Sequence, residues 1–155
     1  SKAQIQFTWF GSGSMLEVSR VKATAIAEFA HAEFAGHVPS PEVEYVSAFL
    51  YLQPSSVENM SLSVIEALRF GLPAVVTNVG GLPEIVENGI TGFVVPSDSP
   101  ELAAAAIIRL TEDSELWSQM SQASQARYSK YFAPESWGAA MSDLHNEVFG
   151  EQWNG

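Results

Sequence analysis

The sequence predicts an α/β protein with a Rossmann-like, doubly wound parallel sheet. One stretch shows the pattern most clearly. The apolar run 48–52 ends in Pro-Ser-Ser, as a buried parallel strand does, and residues 62–70 place apolar side chains at helical spacing. Residues 74–77 form the next strand. Strands that alternate with helices in this way are typical of a parallel sheet covered on its faces by helices.

The other elements follow in order. Residues 5–10 alternate and are rich in β-formers, and a glycine turn then leads to a helix at about 15–30. A short strand at 33–38 precedes a helix with Ser40 as N-cap and Pro41 at its first position. That helix leads back to the strand at 48–52.

Turn residues also bound the elements further along. Gly71 stands where a helix C-terminus favours a left-handed residue, and Pro73 prevents continuation. A one-turn helix (83–87), a strand (92–96) and three helices complete the chain; the helices begin near 100, 113 and 132. We therefore expect one domain at 1–150, with C-terminal helices at about 100–149, and a frayed tail at 151–155.

Composition excludes several classes of function. The 155 residues suffice for one domain with a sizeable core. Seven basic and eighteen acidic residues give a net charge of −11, which argues against nucleic-acid binding. The absence of cysteine excludes disulfides and thiolate metal sites, and is consistent with a cytoplasmic location. No apolar run predicts a membrane span, so we expect membrane association only through parts outside this sequence.

Two carboxylates flank the loop after the strand at 48–52. Glu58 lies in the loop and Glu66 eight positions later in the helix. Backbone N–H groups near residues 61–63 would point into the same space, and a helix N-terminus favours phosphate. The alternative is structural: Ser63 and Glu66 have the spacing of a capping box, in which Glu66 would bond only its own helix start.

Two glycine pairs have a functional and a structural interpretation. Gly11 and Gly13 follow the first strand, but the third glycine of a dinucleotide fingerprint would fall at position 16, which is leucine. A plain strand-to-helix turn is the alternative. Gly80 and Gly81 would let the backbone approach a ligand closely, or would simply make a turn.

Several linked blocks resemble one enzyme family. They are Pro-Ser-Ser-x-Glu ending at Glu58, Glu-Ala-Leu beginning at Glu66, and the segments 71–76, 80–86 and 88–96. In this order and spacing they are similar to the E-x7-E signature of retaining glycosyltransferases of the GT-B fold (family 4, group 1). The resemblance covers nearly the whole chain and is densest at 54–96. It implies that the chain is the C-terminal, donor-binding half of a GT-B fold.

The resemblance also implies roles for individual residues. Glu66 would bind the ribose hydroxyls and Glu58, the catalytic-site glutamate, a hydroxyl of the donor sugar. The amides of Ser61 and Leu62 would hold the diphosphate. The remaining expected donor-binding residues are Met60, Gly11, Gly13, Gly80 and Gly81. The expected substrate is a UDP- or GDP-sugar, with no metal and no other cofactor.

The sequence departs from the family pattern in two ways. Met60-Ser61 stands where the family usually has Phe-Gly. The family's phosphate-binding Arg and Lys would precede this sequence, as would the acceptor-binding N-terminal domain, and Lys2 is not at the corresponding position. We therefore expect the chain alone to be inactive in sugar transfer. The alternatives are a non-catalytic nucleotide-sugar-binding or interaction domain and, ranked lower, half of an epimerase or phosphorylase.

The resemblance also predicts a gap in the sheet. The strand at 5–10 corresponds to the family's second strand, so the first strand would be missing from the middle of the order 3-2-1-4-5-6. We expect either that the strands at 5–10 and 48–53 pair directly or that a second chain fills the gap, which favours a homodimer.

Overall fold

A computed structural model of the chain describes residues 5–13, 32–39 and 42–150. It divides into two compact units, Ser1–Glu44 and Tyr45–Gly155, which are described separately. The helix expected at about 15–30, the capping pair expected at 40 and 41, and the expected tail at 151–155 lie outside the described residues.

The first unit contains two parallel strands, β1 (Phe7–Phe10) and β2 (Ala32–Gly36). The N–H of Gly11 donates to the carbonyl oxygen of Gly36 over 2.7 Å. Gly11 has a φ of +128°, a conformation that a residue with a Cβ rarely adopts. The strands predicted at 5–10 and 33–38 are therefore confirmed, each within a few residues.

The second unit carries most of the chain. Its strands are β3 (Tyr51–Gln53), β4 (Ala74–Thr77) and β5 (Gly92–Val95). The helices are α1 (Glu42–Ser47), which contains the boundary between the units, α2 (Leu62–Arg69), α3 (Leu82–Ile85), α4 (Pro100–Glu112), α5 (Ser114–Tyr131) and α6 (Pro134–Phe149). Strands and helices alternate as predicted.

The three strands of this unit form a parallel sheet in the order β3-β4-β5. All four residues of the central strand β4 are buried, which explains its purely apolar start. At β5, a Cβ atom on Gly92 would lie 1.9 Å from the Ala74 carbonyl oxygen, so only glycine permits this close pairing.

Among the described strands, β1 pairs with β2 and β3 with β4. Pairing of the strand at 5–10 with the strand at 48–53 would join the two units, so it stays a prediction, as does filling of the gap by a second chain.

The core lies between α2 and the sheet. Val64 and Leu68 project from one side of α2 and pack with Val76 of β4 and with Leu82 and Ile85 of α3, all fully or almost fully buried. Gly71 ends the helix with a φ of +73°, as its position predicted. Of the apolar residues at helical spacing in α2, Val64 and Leu68 are buried, whereas Leu62 at the start of the helix is exposed.

One helix start in the C-terminal half differs from prediction: Asp113, expected as the first residue of α5, is its N-cap and accepts from Leu116 N at 2.9 Å. Ser99 is the N-cap of α4, but its side chain makes no capping hydrogen bond. Helix α6 buries none of its residues. Its apolar side chains are exposed: Trp137, Met141, Leu144 and Val148.

No helix within 5–13, 32–39 or 42–150 has the length and apolar character needed to cross a bilayer.

Candidate functional site

The candidate site lies in the loop between β3 and α2, at the carboxyl end of a parallel strand, as predicted. Helix α2 begins after Ser61, which is buried and accepts a hydrogen bond from Val64 N at its Oγ atom over 3.4 Å. The first N–H groups of any helix lack partners within the helix, so the start of α2 provides donors for an anion.

Glu58 is held in place by two donors, one on each carboxylate oxygen. Gln53 Nε2 donates to Oε2 over 2.5 Å, and the backbone N–H of Asn59 donates to Oε1 over 3.1 Å. Each oxygen of an ionised carboxylate can accept about two hydrogen bonds, so both keep capacity for a further donor such as a sugar hydroxyl.

Glu66 lies in the second turn of α2, as predicted, and is exposed. The hydroxyl of buried Tyr45 donates to Glu66 Oε2 over 3.2 Å and also lies 3.4 Å from the Ser63 carbonyl oxygen. The capping-box interpretation is wrong, because the N-cap is Ser61, two residues before the Ser63 that this interpretation required. Glu66 is thus the fifth residue of the helix, beyond the position from which a capping-box carboxylate reaches back.

Hydroxyl groups connect β3 with the start of α2. Gln53 Oε1 accepts from Ser61 Oγ at 2.9 Å, Tyr51 OH at 3.3 Å and Ser63 Oγ at 3.4 Å, and the two serine hydroxyls are 3.0 Å apart. Gln53 Nε2 also donates to Ser55 Oγ over 3.3 Å. The network is continuous from the helix cap to the loop that carries Glu58.

Tyr51 contributes a neutral hydroxyl to this network. Burial raises the pKa of Tyr51 above its usual value. A hydrogen bond with Ser63 lowers the pKa in part, while the negative charges of Glu66 and Glu58 raise it further. At neutral pH the group is therefore a hydrogen-bond donor placed near both glutamates.

The Gly80-Gly81 pair packs against the Glu58 loop. A Cβ on Gly80 would lie 1.7 Å from the Glu58 carbonyl oxygen, and one on Gly81 would lie 2.5 Å from that of Asn59. The N–H of Gly81 donates to the Asn59 carbonyl oxygen over 2.6 Å. The close approach expected of these glycines is thus made to the protein's own backbone. Their contact with a donor stays a prediction.

Apart from the four glycines, five site residues were predicted, and all five lie on this loop and helix: Glu58, Met60, Ser61, Leu62 and Glu66. The side chains of Met60 and Leu62 point outward, 50% and 71% exposed, so the backbone of Leu62 is the part suited to ligand contact. Gly11 and Gly13 belong to the other unit.

The sequence interpretation did not identify Tyr45, Tyr51 or Gln53. One signal was present: Gln53 is the polar residue that follows the apolar run 48–52, where a parallel strand presents its carboxyl end. No group of three or more His, Asp or Glu side chains that could hold a metal occurs within the described ranges.

Comparison with known proteins identifies one family. The profile of "Glycosyl transferases group 1" matches residues 1–127. The sulfoquinovosyl transferase SQD2 of Arabidopsis thaliana is 30% identical over 123 residues, which are 76% of this chain and 23% of that protein. A D-inositol 3-phosphate glycosyltransferase of Streptomyces griseus is 32% identical over 105 residues, 68% of this chain and 22% of that protein.

Solved structures show the same fold. Sucrose-phosphate synthase of Thermosynechococcus elongatus superposes with a TM-score of 0.78 at 26% identity, over 94% of this chain and 39% of that one. Anabaena HepE, solved in complex with UDP-glucose, gives a TM-score of 0.79 at 23% identity, over 93% and 41%. The chain therefore spans under a quarter of these curated relatives and about two fifths of these structures.

Proposed function

Because the chain belongs to the glycosyl transferases group 1 family and has the fold of a C-terminal GT-B domain, we propose that it binds a nucleotide-diphosphate sugar and serves retaining, metal-independent transfer of the glycosyl group. One observation carries the proposal. Two carboxylates, each held by a hydrogen bond from a side chain of another element, flank the start of one helix at the carboxyl end of a parallel strand.

In this proposal each part of the donor meets a matching group. Glu66 accepts from the ribose hydroxyls, since it is exposed and each of its carboxylate oxygens can accept about two hydrogen bonds, of which the Tyr45 hydroxyl supplies one to Oε2. Glu58 accepts from a hydroxyl of the sugar. The diphosphate lies at the start of α2, near the amides of Ser61 and Leu62, where N–H groups and the helix dipole favour negative charge.

The chemistry follows from this placement of donors. Transfer leaves a nucleoside diphosphate, whose negative charge grows as the glycosidic bond breaks. Oriented N–H groups at a helix start stabilise such charge without reorganisation, and this electrostatic contribution is often the largest in catalysis.

The relatives support a nucleotide-sugar donor. HepE was solved with UDP-glucose, and a pneumococcal O-GlcNAc transferase of the same fold was solved with UDP and GlcNAc. Both share the fold rather than close sequence identity with this chain, 23% and 20%. We extend the donor class to this chain on the combined ground of the family and the two placed carboxylates.

Titration calorimetry of the chain with UDP, UDP-glucose, GDP and GDP-mannose tests the proposal. We expect either UDP and UDP-glucose or GDP and GDP-mannose to bind. Glu66→Ala should weaken binding of both ligands of that pair by about 1–3 kcal/mol through loss of charge-assisted hydrogen bonds. Glu135→Ala, which removes an exposed carboxylate from helix α6, is the matched control. If none of the four ligands binds, or if Glu66→Ala changes thermal stability alone, the proposal fails.

A binding-only domain is distinguished by a second assay. The chain, and a longer protein that contains it, are incubated with the bound donor. Hydrolytic release of the free nucleoside diphosphate, in which water takes the glycosyl group, is followed. Binding without release by either protein would favour the non-catalytic alternative.

A further inference from the structure

The orientation of the Gln53 carboxamide follows from chemistry. An ionised carboxylate accepts hydrogen bonds and cannot donate them, so the Gln53 atom 2.5 Å from Glu58 Oε2 is the amino nitrogen. The carbonyl oxygen Oε1 then faces α2, where it accepts from Ser61 and Tyr51 at 2.9 Å and 3.3 Å. A flipped carboxamide would place oxygen against oxygen at the Glu58 end.

The hydrogen bonds between the helix cap and Glu58 run in one direction. Ser61 has one hydroxyl hydrogen and donates it to Gln53 Oε1. Donors thus point from Ser61 to Gln53 and from Gln53 to Glu58, and hydrogen bonds aligned in this way strengthen one another.

We propose that Gln53 is a positioning residue that holds the Glu58 carboxylate for the donor sugar and links it to the cap of α2. The inference rests on the proposed function, in which Glu58 contacts the sugar and α2 the diphosphate. Without Gln53, the donor that remains to the carboxylate within the described part of the chain is the backbone N–H of Asn59, which bonds the other oxygen. The carboxylate can then turn away from the sugar.

The inference predicts an effect on the sugar and little effect on the nucleotide. The test measures the dissociation constants of UDP and UDP-glucose, or of GDP and GDP-mannose if that pair is the one bound, for the full chain. The dissociation constant of the sugar nucleotide divided by that of the nucleotide isolates the contribution of the sugar. In Gln53→Met, which keeps the length of the side chain and loses both polar atoms, we expect the ratio to shift at least about fivefold against the sugar nucleotide.

A double-mutant cycle shows whether Gln53 acts through Glu58. Glu58→Gln should change the ratio in the same direction. If Gln53 acts through Glu58, then Gln53→Met should have no further effect in the Glu58→Gln background. Gln122→Met makes the same chemical change at an exposed position of α5 and should leave the ratio as in the wild type.

Gln53→Glu adds a pH-dependent readout that a purely structural role would not produce. The new carboxyl can donate to Glu58 only when it is protonated, and adjacent carboxylates favour sharing a proton as the pH falls. Among the described residues, Glu58 and Tyr51 contact residue 53, and Glu66 acts on Tyr51. Tyr51 stays neutral because burial raises its pKa. We expect the sugar preference to be lost at about pH 8 and partly restored near about pH 5, with no such restoration in Gln53→Met.

Each outcome decides the matter. The inference is overturned if Gln53→Met leaves the ratio unchanged while Glu58→Gln weakens binding of the sugar nucleotide relative to the nucleotide. The proposed function would then stay intact. Additive effects in the double variant also overturn it. If the wild-type chain binds neither nucleotide pair, the proposed function fails and takes this inference with it. Should Gln53→Met not fold, the pH dependence of Gln53→Glu gives the decision.

Discussion

Gly80 approaches Glu58 so closely that a Cβ atom on the glycine would lie 1.7 Å from the Glu58 carbonyl oxygen. Gly80 also has a φ of +53°, in the left-handed region. The loop that follows β4 is therefore built against the loop that carries the candidate sugar-binding carboxylate. The same contact continues through Gly81 N, which donates to the Asn59 carbonyl oxygen.

Gly80→Ala should displace the Glu58 loop. No side chain can move aside, because the clash is with backbone, and the substitution also strains the φ angle. We expect a loss of about 1–3 kcal/mol in the free energy of unfolding and weaker binding of the sugar nucleotide. Gly89→Ala is the matched control: its φ is +79°, but no atom lies within 4 Å of the added Cβ. Urea unfolding and calorimetry measure both variants, and equal losses would show that the contact with Glu58 is unimportant.

Tyr45→Phe should weaken nucleotide binding through Glu66. The change removes only the hydroxyl that donates to Glu66 Oε2 and leaves the buried ring in place. Because the ribose is common to both ligands, UDP and UDP-glucose should lose affinity by similar factors, corresponding to about 1 kcal/mol. Tyr131→Phe, at an exposed tyrosine, is the control. Calorimetry that finds unchanged affinity for Tyr45→Phe would contradict a role for this bond.

Tyr51 should make stability fall at alkaline pH. Because burial raises its folded-state pKa above the unfolded value of about 10, the folded chain keeps this proton to higher pH than the unfolded chain. Its contribution to the free energy of unfolding is therefore fully present below about pH 10 and is lost as the pH rises through the folded pKa. Urea unfolding from about pH 8 to 11 should show a steeper loss for the wild type than for Tyr51→Phe. A Tyr51→Phe profile parallel to that of the wild type would count against the shift.

Arg127→Lys should destabilise the protein by about 1–3 kcal/mol. The guanidinium donates to the carbonyl oxygens of Ile85 and Glu84 over 2.7 Å each, and so binds the end of α3 to α5. An ammonium group cannot reproduce this planar pattern. The third partner, the Glu87 carboxylate, is about half exposed and should contribute about 0–1 kcal/mol.

Glu87→Gln is therefore the control for Arg127→Lys. It should cost little, and raising the salt concentration should not abolish the larger effect of Arg127→Lys, since two of the three acceptors are backbone carbonyls. A salt-sensitive loss that Glu87→Gln reproduces would instead make the ion pair the dominant interaction. Thermal unfolding at low and high salt measures the destabilisation caused by each of the two variants.

The sequence by itself determined the order of elements in the second unit, the burial of Val64 and Leu68 in α2 and the end of that helix at Gly71. These features are local: apolar periodicity selects a face, and a left-handed glycine ends a helix whatever lies elsewhere in the chain. It also placed Glu58 and Glu66 at the carboxyl end of a strand, because the strand–loop–helix unit fixes that position.

Only the tertiary structure decided what holds these carboxylates. Ser61 rather than Ser63 caps α2, since the N-cap depends on where the helix begins, which spacing alone does not define. Tyr45 reaches Glu66 across 21 positions, and Gly80 meets Glu58 across 22. Such contacts depend on how β3, α2 and β4 pack together, and no local pattern in the sequence encodes the distance between segments so far apart along the chain.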